Sequence, residues 1–142
     1  MGALWRSGLT LEDLQRRCDR TLSEHLGMQL TELGEDFLRG TMPVDARTCQ
    51  PLRVLHGGAS VAFAETLASL AATATVDIER FVCLGQEINA NHLRPVPEGS
   101  MISGIARPFH LGQRSQVWGV EMFDPAGKRT CVSRVTMAVV AR

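Results

Sequence analysis

Residues 57–76 (GGASVAFAETLASLAATATV) constrain the fold more than any other segment of the chain. The run has helical length, and its apolar residues fall on every side of a helix rather than along one stripe. A helix without a broad polar face is normally buried, so the rest of the chain has to wrap it. Seven of its residues are alanine, which lets neighbours approach the helix axis closely from several directions. The segment nears the length of a bilayer span, but Glu65 stands at its centre among Ala, Ser and Thr. That composition predicts a buried helix of a water-soluble protein and no membrane association.

The material available for wrapping is 142 residues, which predicts a single domain over 1–142. Beyond the helix the period changes. Four extended runs, 82–94, 101–110, 116–123 and 130–140, are joined by the turn-rich sequences 95–99 (PVPEG), 111–114 (LGQR) and 124–127 (DPAG). Short connections make antiparallel neighbours, so these runs are expected to form a four-stranded meander. Upstream, residues 28–33 and 37–42 read as a hairpin about Gly34-Glu35-Asp36. Earlier still, Leu11, Leu14, Cys18, Leu22 and Leu26 recur at helical spacing, with Thr10 and Asp13 as a capping box and Gly27 as the stop. These predict one leading helix within residues 1–27. The fold class is α+β, one antiparallel sheet curled around one long central helix.

Fifteen basic residues balance fifteen acidic ones, for a formal net charge of +0. A domain-wide basic surface is therefore absent, and nucleic acid is excluded as the expected partner. Every base except Lys128 is arginine, the side chain suited to local recognition of phosphates and carboxylates. Cys18, Cys49, Cys83 and Cys131 form no CxxC pair and have no histidine at zinc spacing. They read as reduced thiols, with no metal site. The charged N-terminal stretch, with Arg6, Glu12, Asp13, Arg16 and Arg17, lacks a signal-peptide core, so a cytoplasmic location is expected.

Glu65 is the only ionisable residue between His56 and Asp77. A carboxylate in apolar surroundings is costly unless it is paired, faces a cavity or changes its pKa, and such groups are functional candidates. The plainer alternative is that it reaches solvent or pairs with an arginine for structural reasons. Ser69 lies one turn further on the same face, within reach of the carboxylate or a water. Just upstream, His56-Gly57-Gly58 opens the helix with unobstructed backbone N–H groups at its positive end, an arrangement suited to a developing oxyanion. The same glycine pair also fits an ordinary tight turn.

Spacing decides how these groups can cooperate. Gly57 and Glu65 are eight residues apart, about 12 Å along a helix. One reacting carbonyl needs both partners within about 3–3.5 Å. If both serve one reaction they come from different chains, so a symmetric homodimer with a shared active site is predicted.

The segments 42–69 (MPVDARTCQPLRVLHGGASVAFAETLAS), 85–95 (GQEINANHLRP) and 108–118 (PFHLGQRSQVW) resemble hotdog-fold acyl-CoA thioesterases. The resemblance is to the phenylacetic-acid-degradation-type clade that includes 1,4-dihydroxy-2-naphthoyl-CoA and enterobactin proofreading thioesterases. It implies hydrolysis of an acyl- or aryl-CoA thioester, or of an acyl- or aryl-carrier-protein thioester, to a carboxylic acid and a thiol. Coenzyme A is then part of the substrate, and no cofactor is implied. The resemblance also implies roles at matching positions. Glu65 matches the catalytic carboxylate and Gly57 the amide that polarises the carbonyl. Gln50 and His56 match residues that position the thioester, while Ser69 and His92 match partners of the carboxylate or water. Gly85, Leu93, Arg94, His110, Leu111, Gly112, Arg114 and Ser115 match the acyl-CoA channel, and the assembly implied is a dimer of dimers. One departure stands out. Relatives usually read QPFGLLHGG, whereas this chain places Leu52 and Arg53 where they carry an aromatic residue and a glycine. That change is expected to reshape the acyl pocket and weighs against an aryl substrate. Two alternatives use the same residues: a hydroxyacyl-CoA dehydratase built on His56 and Glu65, and a non-catalytic acyl-CoA-binding protein.

Overall fold

A computed structural model describes residues 4–142; the first three residues of the predicted domain and leading helix lie outside the described residues. The chain runs α1 (Leu11–Arg16), α2 (Leu22–His25), β1 (Gln29–Leu33), β2 (Leu38–Pro43), α3 (Gly57–Thr75), β3 (Phe81–His92), β4 (Met101–Leu111), β5 (Ser115–Phe123) and β6 (Arg129–Ala141). The strands form one six-stranded antiparallel sheet in the order β1-β2-β4-β5-β6-β3, with α3 packed on its concave face. This is the expected α+β hotdog architecture.

Alternation places one row from each strand against α3. Ile102 and Ala106 of β4, Trp118, Val120 and Met122 of β5, and Val135 and Met137 of β6 are all fully buried. Removing a large apolar side chain of this kind from water is worth about 1.5–3 kcal/mol. The helix answers with Phe63 and Leu67, and Gly104 of β4 makes room for both. A methyl group at Gly104 would sit 2.7 Å from the Leu67 side chain and 2.8 Å from Phe63. The buried polar atoms of this core are chained together. Trp118 Nε1 donates to Gln116 Oε1 at 2.9 Å, and Gln116 Nε2 donates to Thr75 Oγ1 at 2.8 Å.

Two details differ from the sequence expectations. The leading helix is two short ones, because Arg20 takes a left-handed φ of 60° and Thr21 starts a new helix as N-cap. The Arg20 N–H donates to Glu24 Oε2 at 2.6 Å, which holds that break. The capping box of Thr10 and Asp13 and the left-handed Gly27 stand as expected. The four-stranded meander holds only for β4, β5 and β6. Residues 93–100 cross the end of the barrel-like sheet instead of turning back, so β3 pairs with β6 and not with β4. Buried Val96 anchors the crossing, its carbonyl accepting from Leu55 N–H at 2.8 Å. As a result β3 is an edge strand of 12 residues whose second edge is unpaired among the described residues. No helix among the described residues is long and apolar enough to cross a membrane.

Candidate active site

The N-terminus of α3 is built by its capping residue. His56 is the N-cap, and its Nδ1 accepts the Gly58 N–H at 2.7 Å. That bond leaves Nε2 as the ring nitrogen free for another partner. It also occupies one of the two glycine amides expected to face an oxyanion. The other, Gly57 N–H, donates to nothing among the described residues and stays available at the positive helix end. Replacing the cap by His56→Ala is expected to cost about 1 kcal/mol of stability, measurable by chemical denaturation.

The loop before the cap presents Gln50. Its Oε1 accepts Leu52 N–H at 2.6 Å, and Arg53 adopts a left-handed φ of 58° to close the turn. With the oxygen held, Nε2 is the free end of the carboxamide and a hydrogen-bond donor. Gln50, Gly57, His92, Leu93, Arg94 and Thr130 line one cavity of about 310 Å³. His92, the last residue of β3, lies against Gly57, its Nε2 2.9 Å from where a methyl group there would stand. Leu52 and Arg53 do not line this cavity. Leu52 is 81% exposed, and Arg53 is turned to Glu98, whose carboxylate raises the guanidinium's pKa further.

Glu65 belongs to a different place. Its Oε1 lies over the backbone of β3 at Gly85, 2.1 Å from the position a methyl group would take there. Only glycine lets the carboxylate sit so close to the strand. Glu65 makes no hydrogen bond or ion pair among the described residues, so pairing with an arginine does not account for it. It lines a second cavity, of about 370 Å³, with Ser69 and with Arg17, Cys18, Thr21, Leu22 and Ser23 from α2 and the turn before it; Arg17 makes no ion pair with it. The Ser69 hydroxyl donates to Met137 Sδ at 3.8 Å rather than to the carboxylate. Burial raises the Cys18 thiol above its ordinary pKa, so this thiol is protonated and unreactive near neutrality.

The two groups of predicted residues therefore separate within one chain. Gln50, Gly57, His92, Leu93 and Arg94 meet at the start of α3; Glu65, Ser69 and Gly85 meet near its middle. Within one chain His92 lines the Gly57 cavity and Ser69 the Glu65 cavity. A third group lies at the far end of α3, where Leu111, Gly112 and Arg114 line a cavity with Thr75 and Val76. His110 packs on Gly112, and the Gly112 N–H donates to the Ser115 carbonyl at 2.9 Å, closing the β4–β5 turn. Sequence reasoning missed the leading-helix wall of the Glu65 cavity and missed Thr130. Both arrive through contacts distant in sequence, and no local pattern signals them.

Comparison with known proteins adds a consistent set of likenesses. The profile of the Thioesterase superfamily matches residues 52–131. The proofreading thioesterase EntH of Cronobacter turicensis is 47% identical over 96% of this chain and 98% of its own. Among solved structures, a mutant thioesterase PA1618 from Pseudomonas aeruginosa superposes with a TM-score of 0.94 at 40% identity, over 98% of this chain and 99% of its own. Thioesterase HI1161 from Haemophilus influenzae gives 0.92 at 45% identity, over 97% of this chain and 95% of its own.

Proposed function

The chain belongs to the thioesterase superfamily and is a thioester hydrolase, and we propose that it cleaves acyl-CoA or acyl-carrier-protein thioesters at sites shared between two subunits. The observation that carries this reading is the separation just described. An unpaired carboxylate and a free helix-start amide, each lining its own small cavity, are about 12 Å apart along one helix and cannot meet on one carbonyl. Each cavity alone is at the small end of ligand pockets. The exposed edge of β3 supplies the means of pairing. A strand of twelve residues with one unpaired edge, with Leu84 56% exposed, invites a second copy to continue the sheet.

In the joined site the thioester carbonyl accepts from the Gly57 N–H and from Gln50 Nε2. Glu65 of the partner subunit attacks the carbonyl carbon or deprotonates the water that does. The tetrahedral intermediate collapses with loss of the thiolate. In the base route the thiolate takes back the proton that Glu65 removed from the water, and the carboxylic acid is released directly. In the nucleophile route a mixed anhydride with Glu65 is left; water hydrolyses it to the carboxylic acid and free Glu65, and the water's second proton goes to the thiolate. His92 packs against Gly57 and helps shape the carbonyl side, Ser69 the carboxylate side. Arg94, in the Gly57 cavity, serves the anionic end of the thiol carrier. Against dehydration, His56 is engaged as a helix cap, its Nδ1 occupied by the Gly58 N–H. The four free cysteines fit a reducing cytoplasm. Phe109, 70% exposed on the outer sheet face, offers the apolar surface on which dimers join in pairs.

Mixing variants tests the shared site. Chains carrying Glu65→Gln and chains carrying Gln50→Ala, each feebly active alone, are co-refolded in equal amounts. Half the dimers are then mixed and each holds one intact site, so about a quarter of wild-type activity is expected. No gain over the separate variants would place both groups in one chain and sink the proposal.

A further inference from the structure

Thr48, Ser60, Gln116, Thr130 and Ser133 are the buried polar residues among those described, and their side chains divide three ways. Thr48 Oγ1 donates to the Pro43 carbonyl and Ser133 Oγ to the Asn89 carbonyl, each at 2.8 Å, and Gln116 is bonded to Thr75 and Trp118. The Thr130 hydroxyl has no partner and is sealed from solvent. Ser60 belongs to neither group. It is 3% exposed, and its hydroxyl bonds to none of the described residues. Yet the sealed, unpaired side-chain polar atoms among the described residues are Arg6 Nε and Thr130 Oγ1, and the Ser60 oxygen is not one of them. That oxygen is therefore open to the cavity whose wall Ser60 forms, the one that holds Gly57 and Gln50.

The first turn of α3 explains why the hydroxyl is left over. A serine within a helix can return its hydroxyl to the carbonyl four residues back. Here that carbonyl, of His56, already accepts from Ala59 N–H at 3.0 Å and from Ser60 N–H at 3.2 Å, which fills its two lone pairs. Side chains of a helix lean toward its N-terminus, and residues three apart are neighbours on one face, with Cβ positions about 5–6 Å apart. Ser60 stands three residues after Gly57, so its hydroxyl lies over the turn that Gly57 heads. The free Gly57 N–H points out of that same end of the helix. One oxygen about 2.9 Å from the Gly57 nitrogen is within hydrogen-bond reach of both groups.

Resting on the proposed thioesterase reading, we infer that the Ser60 hydroxyl is a third donor to the oxyanion, beside the Gly57 N–H and Gln50 Nε2. The count of lone pairs gives it a selective role. A planar thioester carbonyl oxygen has two, which the amide and the carboxamide fill. The tetrahedral oxyanion has three and carries the charge, so the third donor is engaged as the carbonyl carbon is attacked. Such a donor stabilises the transition state more than the bound ester, and its removal shows in kcat rather than in KM. Ser60 keeps its proton throughout, so the atoms exchanged in either route are unchanged.

Ser60→Ala is expected to lower kcat about 10- to 100-fold on a responsive acyl-CoA, with KM nearly unchanged. Alanine is favoured inside a helix, so Tm should hold or rise. Two inhibitors separate a bond to the oxyanion from a packing effect. Acetonyl-CoA carries a planar ketone in place of the thioester carbonyl. Trifluoroacetonyl-CoA has the same reach and is hydrated in water to a tetrahedral diol. Ser60→Ala should weaken the trifluoro inhibitor about tenfold and leave the inhibition constant of acetonyl-CoA nearly unchanged. Undiminished kcat, or equal weakening of the two inhibitors, would overturn the assignment while leaving the thioesterase reading intact. Wild-type protein that hydrolyses none of a panel of acyl-CoA and acyl-N-acetylcysteamine thioesters would remove the reading and this inference together.

Discussion

Glu65→Gln is expected to lower kcat by about 10³-fold or more while KM changes little. The amide has the shape of the carboxylate and can occupy the same place over Gly85, so substrate binding surfaces persist. What disappears is the negative charge and basicity needed only as the carbonyl is attacked. Steady-state kinetics on a responsive acyl-CoA, with thermal unfolding alongside, gives a clean reading. The variant should be at least as stable as the wild type, because Glu65 makes no ion pair whose loss would weaken the fold. A stable variant with undiminished turnover would remove Glu65 from the chemistry.

Gly85→Ala attacks the same carboxylate without touching it. The new methyl group would lie 2.1 Å from Glu65 Oε1, far inside contact distance, so one of them must move. The mobile party is the end of a glutamate side chain rather than the backbone of β3, which β6 holds through the full strand. The fold should therefore survive, and alanine suits a strand slightly better than glycine. The carboxylate, displaced by about an ångström, is expected to lose roughly 10² in kcat. Circular dichroism and Tm close to wild type, together with that loss, would identify Gly85 as the residue that positions Glu65. Unchanged kcat would show that catalysis does not depend on the carboxylate lying over β3.

Much of this was legible in the sequence. The central helix announced itself by apolar residues on every side, and its start and end at Gly57 and Thr75 match the expected run closely. The six strands followed from alternation bounded by turn residues. Glu65 was legible because an ionisable group inside such a helix has few structural excuses, and its distance from Gly57 follows from helix geometry alone. Short-range signals misled at two places. Hydrophobic spacing from Leu11 to Leu26 is continuous, but the left-handed Arg20 and the capping hydroxyl of Thr21 divide the helix. Residues 95–99 have turn composition, yet buried Val96 draws the chain across the sheet and sends β3 to its far edge.

By itself, then, the sequence determined a buried alanine-rich helix, the strands that wrap it, and a carboxylate too far from the helix-start amide to share a carbonyl with it. These follow from periodicity and rise per residue, which are local properties of a chain. Only the tertiary structure decided which residues meet: Glu65 against Gly85, His92 against Gly57, the leading helices over the carboxylate, and Thr130 in the wall of the Gly57 cavity. Those contacts depend on strand order and register, and no local pattern encodes them. Register brings distant backbones together, and a shift of one residue turns each side chain to the opposite face of the sheet.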